Sequence, residues 1–326
     1  MKSRISVHRH GFTLVELITA MAITSILVLV IMQLTNQGIA LWKVVQEDVS
    51  TTSSSRVALQ TMSRDLESFQ MAGGSNKYQW LFAKTDEAAR NVPKGLSIPR
   101  SVQCVFFASA PDRNPSVSSS PSLRSNYRDA RAHNMETQGD VNAIGYRLMY
   151  RDQILNLPGS GSDQTTFPLF SLYRQVVSPR ETYEQLLGKE SLESAYVSFE
   201  KEEEKNFLCE NIIELNMIFT IQYAQEGTTS DTGRVAYATV NVPVISSRGS
   251  SGRKVAVYGD RIEANGQVYP NARIVSANLS ITVLTEEGVA LAEQVRQGRR
   301  RAPKAADFFA RYTRSFSRLV TLPQPL

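Results

Sequence analysis

One carboxylate, Glu16, stands alone in an apolar run of membrane length. The run extends from Phe12 to Leu34, which is 23 residues, and Glu16 is its only charged residue. An unpaired carboxylate inside a bilayer costs on the order of 2.5 kcal/mol or more, so such a residue usually has a partner and a function. The chemistry that Glu16 offers is ion pairing with a positive group within the membrane.

The element that must position Glu16 is a helix that crosses the membrane. At about 1.5 Å per residue, the apolar run makes a helix of roughly 35 Å, enough to span the hydrocarbon core. Lys2, Arg4 and Arg9 precede it without an acidic residue, which favours a cytoplasmic amino terminus. The alternatives are a plain single-span anchor and a secretory signal, although residues 35–40 match a signal-peptidase site only loosely.

Residues 11–17, Gly-Phe-Thr-Leu-Val-Glu-Leu, resemble the cleavage and methylation motif of type IV prepilins and type II secretion pseudopilins. The resemblance implies that a prepilin peptidase cuts between Gly11 and Phe12 and methylates the new amino terminus of Phe12. That amine would supply the cation for Glu16, in the same chain or in a neighbouring subunit. The alternative is a protonated or snorkelling Glu16 without a partner. With cleavage after Gly11, residues 1–11 would be the cleaved leader, and residues 12–34 would be the transmembrane and assembly helix.

The helix is predicted to continue beyond the membrane. Apolar residues recur at spacings of three and four from Ile39 to Phe69, which indicates an amphipathic helix over 35–72. We expect its part from Leu59 to Phe69 to pack on the globular domain of the same chain, and Asp65 to lie off the apolar face. The Ser/Thr cluster at 50–55 predicts a kink. Gly73 and Gly74 predict the end of the helix.

The remaining residues, 73–326, predict a β-rich periplasmic domain with a flexible insertion at about 109–138. Predicted strands lie at 102–108, 144–150, 169–177, 213–223, 235–245, 255–258 and 274–284, with turns at 227–233 and 246–252. The predicted fold class is α+β, with a long amino-terminal helix packed on mostly antiparallel sheet, as in pilins.

Within the pilin-like families the chain most resembles the larger J-type minor pseudopilins, and also uncharacterised pilin-like proteins of verrucomicrobial gene cassettes. The resemblance rests on residues 63–66, Ser-Arg-Asp-Leu, on the later strands and on the basic-aromatic carboxyl-terminal end. The insertion and the arginine-rich stretch have no counterpart in that pattern. The resemblance implies a minor structural subunit, held in the inner membrane by one span and extracted into a filament on assembly. Its implied partners are prepilin peptidase, other pilin subunits and inner-membrane lipid.

A cluster of cations near the carboxyl terminus could bind an anionic partner. It comprises Arg299, Arg300, Arg301 and Lys304, and is followed by arginines interleaved with aromatic residues. One hypothesis is a surface for single-stranded DNA, in a DNA- or substrate-binding pilin of an uptake system. The alternatives are contact with anionic lipid headgroups, or a solvated helix face whose aromatic residues lie in the core. The net charge of +5 falls to +2 without the leader, so charge alone does not favour nucleic acid.

Cys104 and Cys209 allow two interpretations, a disulfide in an oxidising compartment or two separate buried thiols. Enzyme chemistry has little support, because only His133 remains after removal of the leader and no zinc-binding spacing occurs. The acidic run at 200–205 alternates with lysines and is typical of a solvated surface. The sequence therefore predicts a structural protein without a cofactor or a metal. A membrane-tethered domain that never polymerises remains an alternative.

Overall fold

The computed structural model describes residues 13–72, 77–85, 96, 101–109, 141–152, 155, 157–158, 166–199, 206–229, 235–245 and 253–323. Several sequence predictions lie outside these residues. They are the Gly11–Phe12 cleavage point, the glycine pair at 73–74, nearly all of the 109–138 insertion with His133, the acidic run at 200–205 and the turn at 246–252. The chain divides into two compact units, Met1–Ser50 and Thr51–Leu326.

Helix α1 extends from Leu14 to Glu67 and contains 54 residues. The helix is continuous through residues 50–55, where the sequence predicts a kink. Ser55 Oγ donates to the carbonyl of Thr51 at 2.5 Å, so this hydroxyl is satisfied within the helix. The predicted end of the helix, at residue 72, is too late. Beyond Glu67 the chain joins a sheet, where Gln70 N donates to Phe107 O at 2.8 Å.

The strands are named in chain order. They are β1 (Gln79–Thr85), β2 (Val102–Ser109), β3 (Val141–Asp152), β4 (Leu157–Pro158), β5 (Leu169–Val177), β6 (Phe207–Glu210), β7 (Ile212–Thr229), β8 (Val235–Val244), β9 (Lys254–Tyr258), β10 (Arg261–Ala264), β11 (Gln267–Pro270), β12 (Arg273–Leu284) and β13 (Thr313–Thr321). The shorter helices are α2 (Pro179–Glu181), α3 (Leu192–Tyr196), α4 (Glu286–Arg296) and α5 (Ala305–Tyr312). A π-helical turn, Thr182–Leu186, follows α2, and a 3-10 turn, Val197–Phe199, follows α3.

Two sheets contain these strands, and every pairing between the described strands is antiparallel. The larger sheet has the order β11-β10-β9-β1-β2-β3-β5-β6, with β4 beside β3. The smaller sheet has the order β13-β12-β7-β8. The α+β prediction is confirmed. The sequence did not predict β1, β4, β6, β10, β11 or the carboxyl-terminal β13.

The main core of the second unit lies where the carboxyl-terminal part of α1 meets both sheets. Leu59, Met62 and Leu66 of α1 are buried in one apolar cluster with side chains of both sheets. In β7 and β12 the buried residues alternate, as with Leu215 and Met217, which gives each strand one core face. The prediction that Leu59 to Phe69 packs on the chain's own globular domain is therefore correct.

Candidate assembly site

Thr13 and Glu16 form a reciprocal cap at the start of α1. Glu16 Oε2 accepts hydrogen bonds from Thr13 N at 2.9 Å and from Thr13 Oγ1 at 3.0 Å, and Glu16 N donates to Thr13 Oγ1 at 3.3 Å. This is the capping-box arrangement, in which two side chains satisfy free backbone groups of the first helical turn. Among the described residues, Glu16 Oε1 accepts no hydrogen bond. One carboxylate oxygen of Glu16 thus remains available to accept a further hydrogen bond.

The apolar part of α1 has the character of a membrane span. The segment Leu14–Trp42 is 29 residues long, and none of it is buried within the chain. Its hydroxyl groups are satisfied by carbonyls one turn earlier: Thr19 donates to Val15 O at 2.9 Å and Thr24 to Ala20 O at 2.8 Å. Ser25 and Thr35 do the same. Because these groups need no water, Glu16 is the residue of the span whose charge most needs a partner.

Asp65 lies at the opposite end of α1, and its predicted position off the apolar face is wrong. Its residue is only 1% exposed. The guanidinium of Arg174 donates to it through Nε at 2.6 Å and through Nη2 at 3.0 Å, and the hydroxyl of Tyr146 donates to the same carboxylate. Asp65 is three residues after Met62 and four before Phe69, so the helical period itself placed it on the buried stripe.

The two cysteines are free and buried, so the disulfide alternative is wrong for this fold. Cys104 lies on β2 and Cys209 on β6, and β3 and β5 separate these strands in the sheet. Three strand spacings amount to about 14 Å, whereas disulfide-linked Cα atoms lie about 4.4–6.8 Å apart. Burial raises the pKa of Cys104, and burial followed by the nearby Glu210 carboxylate raises the pKa of Cys209 to about 11.

The structure separates the cationic cluster from the aromatic residues that follow it. Arg299, Arg300, Arg301 and Lys304 are exposed. Phe308 is buried against α4, and Phe309 and Tyr312 pack on the same apolar cluster. The neighbouring Arg296 is paired with Glu293 at 2.6 Å and donates to Thr166 O at 2.8 Å. The aromatic residues therefore stabilise the fold, as one of the sequence alternatives had it, and the cations alone face solvent.

Within the described part of the chain, no group of three or more histidine, cysteine, aspartate or glutamate side chains is arranged to hold a metal ion. The sequence motif, the cap and the span thus form the feature that bears on function. The chain matches the family described as the prokaryotic N-terminal methylation motif over residues 7–32. No curated protein and no solved structure shows a significant match.

The match includes Gly11, Phe12, the Thr13–Glu16 cap and much of the apolar span. Motifs of this type are substrates of prepilin peptidase and imply assembly with other pilins. Among the described residues, one helix, near the amino terminus, is long and apolar enough to cross a membrane. The amino-terminal segment of this chain is therefore that of a type IV prepilin-like protein with a single membrane-spanning helix.

Proposed function

We propose that the protein is a minor, non-catalytic subunit of a type IV pilus or type II secretion pseudopilus. Prepilin peptidase cleaves between Gly11 and Phe12 and methylates the amino group of Phe12. The mature protein is held in the inner membrane by α1, with its β-rich domain in the periplasm. Contacts of α1 with other subunits then incorporate it into the filament. The observation that carries this proposal is the half-satisfied carboxylate of Glu16 at the start of an uncovered apolar helix.

The geometry of the cap supports a pairing role for Glu16. Thr13 holds one carboxylate oxygen, and Thr13 is the residue directly after Phe12. After cleavage, the second oxygen can approach the amine of Phe12 or that of an adjacent subunit. In a medium without water the opposite charges attract strongly, and pairing removes the cost of two isolated ions. Entry of a subunit whose amine meets a neighbouring Glu16 is then favoured over staying alone in lipid.

Mass spectrometry of the protein purified from a strain with prepilin peptidase tests the processing step. The expected mature terminus is N-methyl-Phe12, and the Gly11→Ala variant should keep its leader. A wild-type protein that retains Met1 in the presence of the peptidase would refute the proposal. Co-purification with other pilin-like subunits, lost in the Glu16→Gln variant, separates a polymerising subunit from a tethered domain that never polymerises.

A further inference from the structure

The connection between α4 and α5 is a compact cationic surface, which we call the basic loop and define as residues 297–304. Four of its eight residues are cations, namely Arg299, Arg300, Arg301 and Lys304. All four are exposed. Among the described residues, none of the four forms an ion pair. Four neighbouring cations repel one another, so an anionic partner is the natural complement of this surface.

The backbone of the basic loop is fixed at its beginning by the end of α4. Gly298 has a φ of +68°, Gly298 N donates to Val295 O at 3.0 Å, and Arg299 N donates to Gln294 O at 2.9 Å. These two bonds are those of a Schellman motif, which closes a helix and sets the direction of the chain that follows. The cations that follow are therefore presented from an ordered base, at a helix end whose dipole favours positive charge.

The basic loop lies at the end of the second unit where α1 enters it. Three contacts mark the direction from the end of α1 towards its start. Phe69, just after the helix, forms a β-bridge with Ala108, Asp65 pairs with Arg174, and the carbonyl of Ser54 accepts from the thiol of Cys209. The same direction along β3 and β5 leads from the Tyr146–Arg174 pair through Leu148–Leu172 to Tyr150–Phe170. The pair Tyr150–Phe170 packs in the cluster with α4 and α5.

A short length of chain joins the second unit to the apolar segment. The second unit begins at Thr51, and the membrane-length segment ends at Trp42. Nine residues reach at most about 32 Å even when fully extended. Anionic headgroups attract nearby cations within about one Debye length, roughly 10 Å at 0.1 M salt. The second unit is thus tethered to the membrane span by a short length of chain, so cations of this unit can approach the headgroups.

Nucleic acid is the weaker candidate for the same loop. Proteins that bind single strands without sequence preference combine cations with exposed aromatic platforms. Here the nearest aromatic residues, Phe308, Phe309 and Tyr312, pack on the apolar cluster beside α4. The basic loop offers charge but no stacking surface. We infer that the basic loop docks on anionic phospholipid headgroups of the membrane that holds α1, and so orients the globular unit before it enters a filament.

A test uses the full chain reconstituted in lipid nanodiscs, with a nitroxide at Gln297→Cys, an exposed position beside the cations. Docking should make the nitroxide less accessible to a water-soluble relaxation agent in discs of mixed phosphatidylcholine and phosphatidylglycerol than in pure phosphatidylcholine. Each cation near such a surface raises the affinity for anionic lipid about fivefold. The affinity of the Arg299→Gln/Arg300→Gln/Arg301→Gln variant for these discs should therefore be about 100-fold lower. Salt at about 1 M, where the Debye length is about 3 Å, should abolish the protection.

The matched control removes three exposed cations from the opposite end of the unit, as Lys77→Gln/Arg180→Gln/Lys189→Gln. It should keep the protection, because the net charge changes equally but the basic loop stays intact. Equal accessibility in both kinds of disc, or equal loss in both triple variants, would overturn the inference. Protection by added oligothymidine in pure phosphatidylcholine discs, with none from phosphatidylglycerol, would assign the loop to nucleic acid instead. The inference requires the membrane span but not polymerisation, so its failure leaves the proposed function standing.

Discussion

Asp65 on α1 and Arg174 on β5 form a bidentate ion pair, with Arg174 Nε 2.6 Å from Asp65 Oδ2 and Nη2 3.0 Å from Oδ1. Tyr146, the cross-strand neighbour of Arg174, donates to the same carboxylate. The pair is almost withdrawn from water, with side-chain exposures of 1% for Asp65 and 14% for Arg174. It is therefore the polar contact that ties the last turns of α1 to the larger sheet.

Removing only one of the two charges of this pair should lower the free energy of unfolding. Asp65→Asn or Arg174→Met leaves one buried charge uncompensated, and we expect each to lower the free energy of unfolding by about 3–5 kcal/mol. The double variant Asp65→Asn/Arg174→Met should lose much less than the sum, because it leaves no orphaned charge and keeps an oxygen that can accept from Tyr146. Urea unfolding of the full chain in detergent measures these values.

The matched control for this cycle is the exposed pair of Arg180 and Glu184, which lie 3.1 Å apart with side-chain exposures of 67% and 57%. Its removal should cost less than about 1 kcal/mol. Single variants at Asp65 that are as mild as those at Glu184 would contradict the view that this pair anchors α1.

The raised pKa of Tyr146 predicts that the folded protein loses stability at alkaline pH. Burial, and then the Asp65 carboxylate, raise the pKa of Tyr146 well above its usual value. Because the folded pKa is raised, this contribution is complete below the unfolded pKa of about 10 and is lost as pH rises beyond it. In Tyr146→Phe the stability should be lower at pH 8 but should fall less steeply above about pH 10. Unfolding free energies at stepped pH check this, and parallel curves for both proteins would refute it.

The main elements could be predicted because their signals are local. The apolar run and the three-four spacing specify α1, and alternation specifies β7 from 213 to 223, although the strand continues to Thr229. Short strands such as β10 carry too few residues for a period. Strand β13 looked like a basic-aromatic tail because Arg314 and Arg318 alternate with Phe316 at a sheet edge, where core-facing positions are still exposed.

The partners of buried groups could not be predicted, because they depend on long-range topology. Arg174 is 109 residues from Asp65, and only the sheet order brings them together. The cysteine question was open for the same reason: apolar neighbours predict burial for both residues, but only the order of β2, β3, β5 and β6 excludes their pairing. The pairing role of Glu16 could be proposed from the sequence because it depends on the neighbouring apolar run and motif and on no distant residue.

The two thiols should remain reduced and unreactive in the folded protein. Their raised pKa values leave little thiolate at neutral pH, and burial blocks access. Non-reducing mass spectrometry should find two free thiols, and alkylation should be slow until urea unfolds the chain. A mass lower by two hydrogens, or fast alkylation without denaturant, would contradict the sheet order.

Gly145 is expected to tolerate no side chain. A Cβ there would overlap the hydroxyl oxygen of Tyr196 and lie 2.6 Å from its Cζ, so α3 would have to shift from the sheet. We expect Gly145→Ala to cost about 1–3 kcal/mol. In a Tyr196→Leu background the same change should cost less, because the clashing ring is gone. Thermal unfolding of the four proteins measures the coupling, and an additive result would exclude the contact.

Variants of Thr13 and Glu16 separate capping from charge at the start of α1. Thr13→Val removes the hydroxyl that caps Glu16 and should cost the first helical turn about 1 kcal/mol, while the carboxylate charge stays. Glu16→Gln keeps an oxygen that can accept from Thr13 but removes the charge. If Glu16 pairs with the amine of Phe12, Glu16→Gln should be cleaved normally yet enter filaments at least about tenfold less, since losing 1.4 kcal/mol already gives that factor.

Thr13→Val should lower incorporation only slightly, measured in the same shear-released or overproduced filaments by quantitative mass spectrometry against total membrane protein. The opposite ranking, with Glu16→Gln incorporated normally and Thr13→Val excluded, would mean that the capping box alone is the role of Glu16. The two variants alter the same pair of residues, so a general defect of the helix start should affect both, whereas a requirement for charge affects only one.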